Sequence, residues 1–170
     1  MPDHLHYEVA KDCLDAGLHV LLVKPLTPTY EEGRKLVDLS DKYGLYGAVE
    51  FHKRWDRQNL LARDYYRSGK LGDLLYTWTE YSQRKSIPFS NFKSWSDKTN
   101  IFQYLGVHYV DIVYFITGAI PQRLIALGQK NWLKKNGIDA YDSIQSIIEW
   151  KTKDNKIFTQ TLLVNWVDPE

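Results

Sequence analysis

Lys24 and His108 are the side chains of this sequence best suited to exchange a proton with a bound molecule. Lys24 stands in Val23-Lys24-Pro25, where it leaves the apolar run His19-Val20-Leu21-Leu22-Val23. The proline after it fixes the local backbone and limits where the amine can go. His108 opens an amphipathic helical segment within Leu105-Gly106-Val107-His108-Tyr109-Val110-Asp111. An imidazole, with an ordinary pKa of about 6.5, changes charge where general acid–base chemistry works. An amine and an imidazole converging on one substrate fit redox chemistry on an alcohol or ketone, in which a hydroxyl proton must move. Asp111 lies three residues on, hence on the same helical face, and can orient the ring or take a substrate hydroxyl. Each residue also has a plainer reading: Lys24 as a solvated strand-end lysine, His108 as a core histidine satisfied by a backbone carbonyl.

Further candidates cluster at residues 52–55, where His52-Lys53-Arg54 makes a basic turn ahead of Trp55. Arg54 and Trp55 can contact a substrate or simply pack. Trp95 and Lys93 can line a sugar pocket, since aromatic faces suit the apolar face of a pyranose, or belong to a plain surface loop. His4 and His6 form a His-x-His pair, but a metal site needs at least three converging donors, and for zinc usually a cysteine or carboxylate at suitable spacing. No metal is expected, and His6 is assigned to the edge of a cofactor cleft or to capping its own helix.

The elements that must hold these residues follow from the apolar periodicity. Leu5, Val9, Cys13 and Leu14 sit at helical spacing over 3–16, and Gly17 stops the helix. Residues 19–23 read as a strand whose unbroken apolarity suits a parallel strand covered on both faces. Thr27 or Thr29 can cap a helix over 29–43 with Glu31 and Glu32 in its first turn, ended by Gly44. Another strand is expected over 46–51. This helix–strand–helix–strand order is the rhythm of a doubly wound α/β sheet. Beyond it, Leu60, Leu61, Tyr65 and Tyr66 support a helix ending at Gly69, and 74–83 a long strand. Residues 84–98 lack a period and are read as a long loop. A helix over 105–117 closes at Gly118, and strands are expected at 122–131, 141–151 and 156–166, the last two joined around Asp154-Asn155. The expected fold class is an α/β remnant of a Rossmann-like domain over 1–52, then an α+β domain over 53–170 with a mostly antiparallel open sheet. Their seam is the natural place for a cleft.

Composition narrows the function classes. The 170 residues are 44% apolar and 25% charged with a net charge of +1, an ordinary globular balance with no field to attract phosphate backbones or anionic lipid. Neither nucleic acid nor membrane is an expected partner, and a single cysteine, Cys13, fits the reducing cytoplasm. Aromatic residues reach 14% and lie mostly after residue 50. Large rings at alternating positions suit a broad sheet face that something must cover, another subunit being one choice.

With these residues in view, the chain resembles the glucose-fructose oxidoreductase, inositol dehydrogenase and rhizopine-catabolism family, Gfo/Idh/MocA. Pro2-Asp3-His4-Leu5-His6 is similar to that family's Thr-Pro-x-x-x-His segment, and Ala16-Gly17-Leu18-His19-Val20 to its Ala-Gly-Lys-His-Val. Val23-Lys24-Pro25 resembles its Glu-Lys-Pro with valine for glutamate. Phe51-His52-Lys53-Arg54-Trp55 resembles the segment leaving its nucleotide domain, Ser68-Gly69-Lys70-Leu71-Gly72 its Gly-x-(Ile/Leu)-Gly turn, and Gly106-Val107-His108-Tyr109-Val110-Asp111 its Gly-x-His-x-x-Asp. Each motif is short, but together they run in order along the chain.

The resemblance implies an NAD or NADP oxidoreductase acting on a sugar or cyclitol, with Lys24 and His108 catalytic. It places Asp111, Tyr104, Arg54 and Trp55 at the substrate, and Lys24, Pro25 and His6 at the cofactor. Tyr104 stands where many relatives carry an aspartate; a phenol relays a proton but is a poorer base at neutral pH. Family members begin with a strand, a Gly-rich turn and a helix that hold the dinucleotide pyrophosphate. No Gly-x-Gly-x-x-Gly precedes a helix here, so the expectation is a chain truncated at both ends, with cofactor binding and activity reduced or lost in isolation. The alternative is a non-catalytic module serving oligomerisation or ligand binding. A homo-oligomer formed through the C-terminal sheet is expected in either case.

Overall fold

The computed structural model describes residues 1–169, which divide into two compact units, Met1–Phe51 and the chain from His52 onward. In the first, a 3-10 turn at Asp3–Leu5 leads into α1 (His6–Asp15), whose Ala10 and Leu14, one turn apart, face inward. Gly17, at φ +77°, takes the left-handed conformation that releases the chain from the helix. β1 (Val20–Val23) and β2 (Gly47–Glu50) pair in parallel, Val20 opposite Gly47 and Val23 opposite Glu50. Between them runs α2 (Tyr30–Tyr43), whose N-cap is Thr29, with its hydroxyl accepting the Glu32 N–H at 3.3 Å. Ala10, Leu14, Leu22 and Leu36 form this unit's core.

The expectation that both faces of β1 are covered does not hold among the described residues. Leu22 is 7% exposed, but Leu21 is 71% and Val23 56% exposed. Alternate strand side chains point to opposite faces, and the core helices cover only the Leu22 side.

The second unit begins with a 3-10 turn, His52–Trp55, and α3 (Arg57–Arg67). β3 (Tyr76–Arg84), α4 (Val107–Thr117), β4 (Ile120–Gln129), α5 (Trp132–Lys135), β5 (Ser143–Lys151) and β6 (Ile157–Asp168) follow. The sheet order is β3-β6-β5-β4; β4, β5 and β6 are antiparallel neighbours, while β3 joins β6 in parallel. β5 and β6 turn at Thr152–Lys156, where Asn155 takes a positive φ of 65°.

Along β5 and β6, Ile148, Trp150, Phe158, Leu162, Val164 and Trp166 point inward. Val113 of α4 packs with Ile148, Trp150 and Phe158, and Phe92, Ile101 and Leu105 pack with Leu162, Val164 and Trp166. Gln160, fully buried, links the layers: its Oε1 accepts the Trp150 indole N–H at 3.1 Å, and its Nε2 donates to the Tyr109 carbonyl of α4 at 3.1 Å. On the opposite face Tyr76, Trp78, Ile125, Leu127 and Ile147 are exposed.

Three local features differ from expectation. Residues 84–98 are not a featureless loop but hold a π-turn (Ile87–Asn91) and a 3-10 turn (Ser96–Lys98), tied down by the buried Phe92 ring. The helix expected from residue 105 starts as α4 at Val107, after a separate π-turn at Phe102–Gly106. The short α5 was not anticipated. It forms because the buried Asp142 carboxylate accepts the backbone N–H groups of Asn131, Trp132 and Leu133 at 2.5, 2.9 and 2.9 Å, satisfying donors that a helix start otherwise leaves open.

Candidate active site

His108 lies in the first turn of α4 and is 2% exposed. Gly106 sets its approach: a Cβ at that position would lie 2.8 Å from Cγ of Phe102, so the glycine lets the Phe102 ring lie against the backbone that leads into the helix. The His108 ring meets the His52 ring edge-on, with centroids 4.5 Å apart and planes at 68°. His52 opens the 3-10 turn that also carries Arg54. From that turn Arg54 reaches Asp111, its Nε donating to one carboxylate oxygen at 2.7 Å and an Nη to the other at 2.5 Å. This is the planar fork-to-carboxylate match that makes such pairs strong. The Asp111 side chain is 9% exposed and that of Arg54 31%. Hydrogen bonding to Asp111 holds the Arg54 guanidinium above its already high pKa, outweighing the opposing effect of burial.

Asp111 thus has Arg54 as its partner across the turn; Arg54 also lies over the Phe115 ring at 5.5 Å, while His108 stands in the first turn of the same helix. Trp55 is 68% exposed and sits edge-on to Phe115, 6.2 Å away, at the far end of the helix. Tyr104 stands in an aromatic cluster, 4.6 Å from the Phe92 ring and 6.2 Å from Trp166. Burial, then the neighbouring Tyr81, raises its pKa, so its phenol stays protonated through the neutral range. Tyr109 is pushed further, to about 12, by burial first and then by Tyr81 and Asp56.

The other candidates belong to the first unit. Lys24 is 8% exposed, and its backbone N–H donates to the Glu50 carbonyl at 3.3 Å, extending the β1–β2 pairing by one residue. The Lys24–Pro25 peptide bond is cis. His6, 3% exposed, has Nδ1 2.8 Å from the Pro25 carbonyl. A carbonyl only accepts, so Nδ1 carries a proton. His6 and Pro25, candidates on separate elements, are therefore in direct contact. Sequence reasoning placed His52 only in a basic turn. Its contact with His108 arises from tertiary packing, which no local pattern carries.

The residues present fit part of a dinucleotide site. The amine of Lys24, a residue 8% exposed beside a backbone braced by His6, is a donor of the kind that the hydroxyls of a nicotinamide ribose accept from. No residue is assigned to the pyrophosphate, because no Gly-x-Gly-x-x-Gly stands ahead of a helix in the sequence.

Two family models match the chain. Residues 1–51 match an oxidoreductase family with an NAD-binding Rossmann fold, and residues 60–159 match the Gfo/Idh/MocA C-terminal domain. An uncharacterised oxidoreductase of Schizosaccharomyces pombe is 28% identical over 167 residues, 96% of this chain and 44% of the relative. The NADP-dependent scyllo-inositol 2-dehydrogenase of Bacillus subtilis is 31% identical over 129 residues, 74% of this chain and 35% of the relative. The chain therefore spans less than half the length of these relatives. Among solved structures, an inositol dehydrogenase homologue from Azotobacter vinelandii, complexed with NADH and myo-inositol, superposes with a TM-score of 0.85. It is 18% identical, and the match covers 99% of this chain and 43% of that one; the likeness is one of fold. The first unit is Rossmann-like and the second has the family's C-terminal fold, so the chain belongs to the Gfo/Idh/MocA oxidoreductases.

Proposed function

We propose that this polypeptide supplies the substrate side of an NAD(P)-dependent dehydrogenase acting on a sugar or cyclitol. The observation that carries the reading is His108, buried at the start of α4 beside the Arg54–Asp111 pair. A nicotinamide dinucleotide, when bound, supplies the hydride acceptor. The chain's own residues handle the rest of the alcohol. His108 takes the hydroxyl proton at a ring nitrogen, and the Lys24 amine stabilises the negative charge developing on oxygen. Asp111, braced by Arg54, accepts a neighbouring hydroxyl. Pro25 and His6 shape the backbone beneath the nicotinamide ribose. The second unit also binds a second copy of the chain through its exposed sheet face.

Tryptophan fluorescence titrated with NAD(H) and NADP(H), followed by assay against inositols and aldoses, tests the reading. With no residue assigned to the pyrophosphate, saturable cofactor binding weaker than micromolar and at most slow oxidation of a polyol are expected, with His108→Asn lowering kcat about 100-fold or more. Silence at millimolar cofactor, with no turnover, would overturn it in favour of a non-catalytic oligomerisation or ligand-binding module.

A further inference from the structure

We propose that the second unit carries a small site for a uronate, a sugar ring bearing a carboxylate, in the cavity walled by Lys85, Ser86, Phe89, Ser90 and Trp132. The proposal does not rest on the dehydrogenase reading, in which none of these residues takes part.

Three pieces of chain form the walls, and the fold holds each in place. Lys85 follows β3 directly, and its backbone N–H donates at 3.2 Å to the carbonyl of Asp168, the last residue of β6. Ser86 leads into the π-turn Ile87–Asn91, which carries Phe89 and Ser90 and is anchored by the buried Pro88. Trp132 opens α5, where the buried Asp142 carboxylate accepts its backbone N–H and that of the fully buried Leu133, both at 2.9 Å. Walls fixed before a ligand arrives leave little ordering to be done on binding. The cavity holds about 260 Å³. Sites for drug-sized ligands run from about 300 to 1,000 Å³, so this one suits a single sugar ring.

The lining divides into an apolar and a polar part. The Phe89 and Trp132 rings meet edge-on, with centroids 5.0 Å apart and planes at 70°, and offer apolar surface of the kind the C–H face of a pyranose packs against. Ser86 and Ser90 bring two hydroxyls to the same cavity. Among the described residues neither hydroxyl has a hydrogen-bond partner, and each both donates and accepts, as sugar hydroxyls require.

Lys85 is the charged residue of the lining, and no carboxylate stands there with it. Its amine lies over the Trp132 ring, 5.2 Å from the centroid, and forms no ion pair among the described residues. A single amine matches a singly charged carboxylate. A phosphate carries more charge and more acceptor oxygens, and is better met by an arginine fork or a nest of backbone N–H groups; neither an arginine nor a glycine lines the cavity. A neutral sugar leaves the amine unused, and a simple carboxylate leaves the rings bare. A uronate engages every wall.

The test is an NMR titration of the isotope-labelled 170-residue chain with glucuronate, methyl glucoside, acetate and inorganic phosphate in turn, without cofactor. Glucuronate is expected to shift the backbone resonances of 85–90 and the Trp132 indole N–H, assigned from Trp132→Phe, saturably with a Kd of about 1–10 mM. The other three probes should bind about tenfold more weakly or not at all. Lys85→Gln should weaken glucuronate about tenfold and leave the response to methyl glucoside as it is. If Trp132→Phe does not fold, the backbone resonances carry the readout alone. Glucuronate shifts that are absent, that fall elsewhere on the chain or that survive Lys85→Gln unchanged would overturn the proposal. Acetate, methyl glucoside or phosphate binding here as tightly as glucuronate would overturn the choice of a uronate. Loss of this site leaves His108 and its assignment untouched, whereas a chain that takes glucuronate but oxidises no polyol loses the dehydrogenase reading alone.

Discussion

Arg54 and Asp111 meet as a two-pronged donor and a carboxylate, and the carboxylate is the more enclosed of the two. Removing the guanidinium leaves a nearly buried negative charge without that partner, which costs more than the pair itself contributes. Arg54→Ala is expected to lower stability by about 2–3 kcal/mol in urea denaturation. Arg54→Lys should recover only part of it, since an ammonium cannot make both parallel bonds; a full recovery would count against the fork as the source. Tyr109 gives a pH-dependent counterpart. Its folded pKa, about 12, lies above the ordinary phenol value of 10 because burial favours the neutral form. The folded state is thus favoured by a protonated phenol, fully below pH 10, and this contribution is lost as pH rises through about 12. Melting temperatures of the unaltered chain and Tyr109→Phe should diverge between those values, with the phenylalanine variant the flatter. The roles of Lys24 and His108 were suggested by residue type and motif order; the Arg54–Asp111 pairing joins residues 57 positions apart, and spacing carries no trace of it.

The turns that end and begin helices carry two different uses of glycine, and two substitutions separate them. Gly118 closes α4 at φ +68° with open space around it, the nearest atom a Lys153 Cε 4.0 Å away. Gly118→Ala should therefore cost about 1 kcal/mol in conformational strain alone. Gly106 has no such φ, but an added methyl would press into the half-buried Phe102 ring. Gly106→Ala should cost about 1–3 kcal/mol as overpacking and shift the His108 ring resonances, which Gly118→Ala should leave in place; both are read from thermal unfolding with NMR. Most elements were legible, since their signals are local: the helical period over 3–16, although its Leu5 and Val9 are exposed and Ala10 and Leu14 form the buried face, the Thr29 cap, the stops at Gly17, Gly44 and Gly118, and the β5–β6 turn. What escaped depends on distant partners. α5 needs Asp142, and the order within 84–98 needs Phe92 buried against Trp95, Tyr104 and Trp166.

At the scale of the molecule, alternating large side chains along β3 and β4 leave Trp78, Ile125 and Leu127 exposed, each by 65% or more. A second copy is the proposed cover. Sedimentation should give a dimer or larger assembly, which Ile125→Asp with Leu127→Lys converts to monomer without loss of helical signal; a monomeric unaltered chain would count against it. The exposed large side chains of the sheet follow the alternation expected from the sequence, whereas the one-sided burial of β1 was not legible, because an unbroken apolar run looks the same whether one face or two are packed. Gln160 reaches further than its place in one layer suggests. It binds an indole on β5 and a main-chain carbonyl on α4 at once, so the helix cannot slip along the strands without stranding several polar atoms in a dry interior. Partial loosening is thereby penalised by the polar groups it leaves unpaired. The imidazole at the helix start should accordingly be released only when the whole layer gives way, and slow, all-or-none deuterium uptake across 107–117 and 158–164 together is the behaviour this bracing imposes.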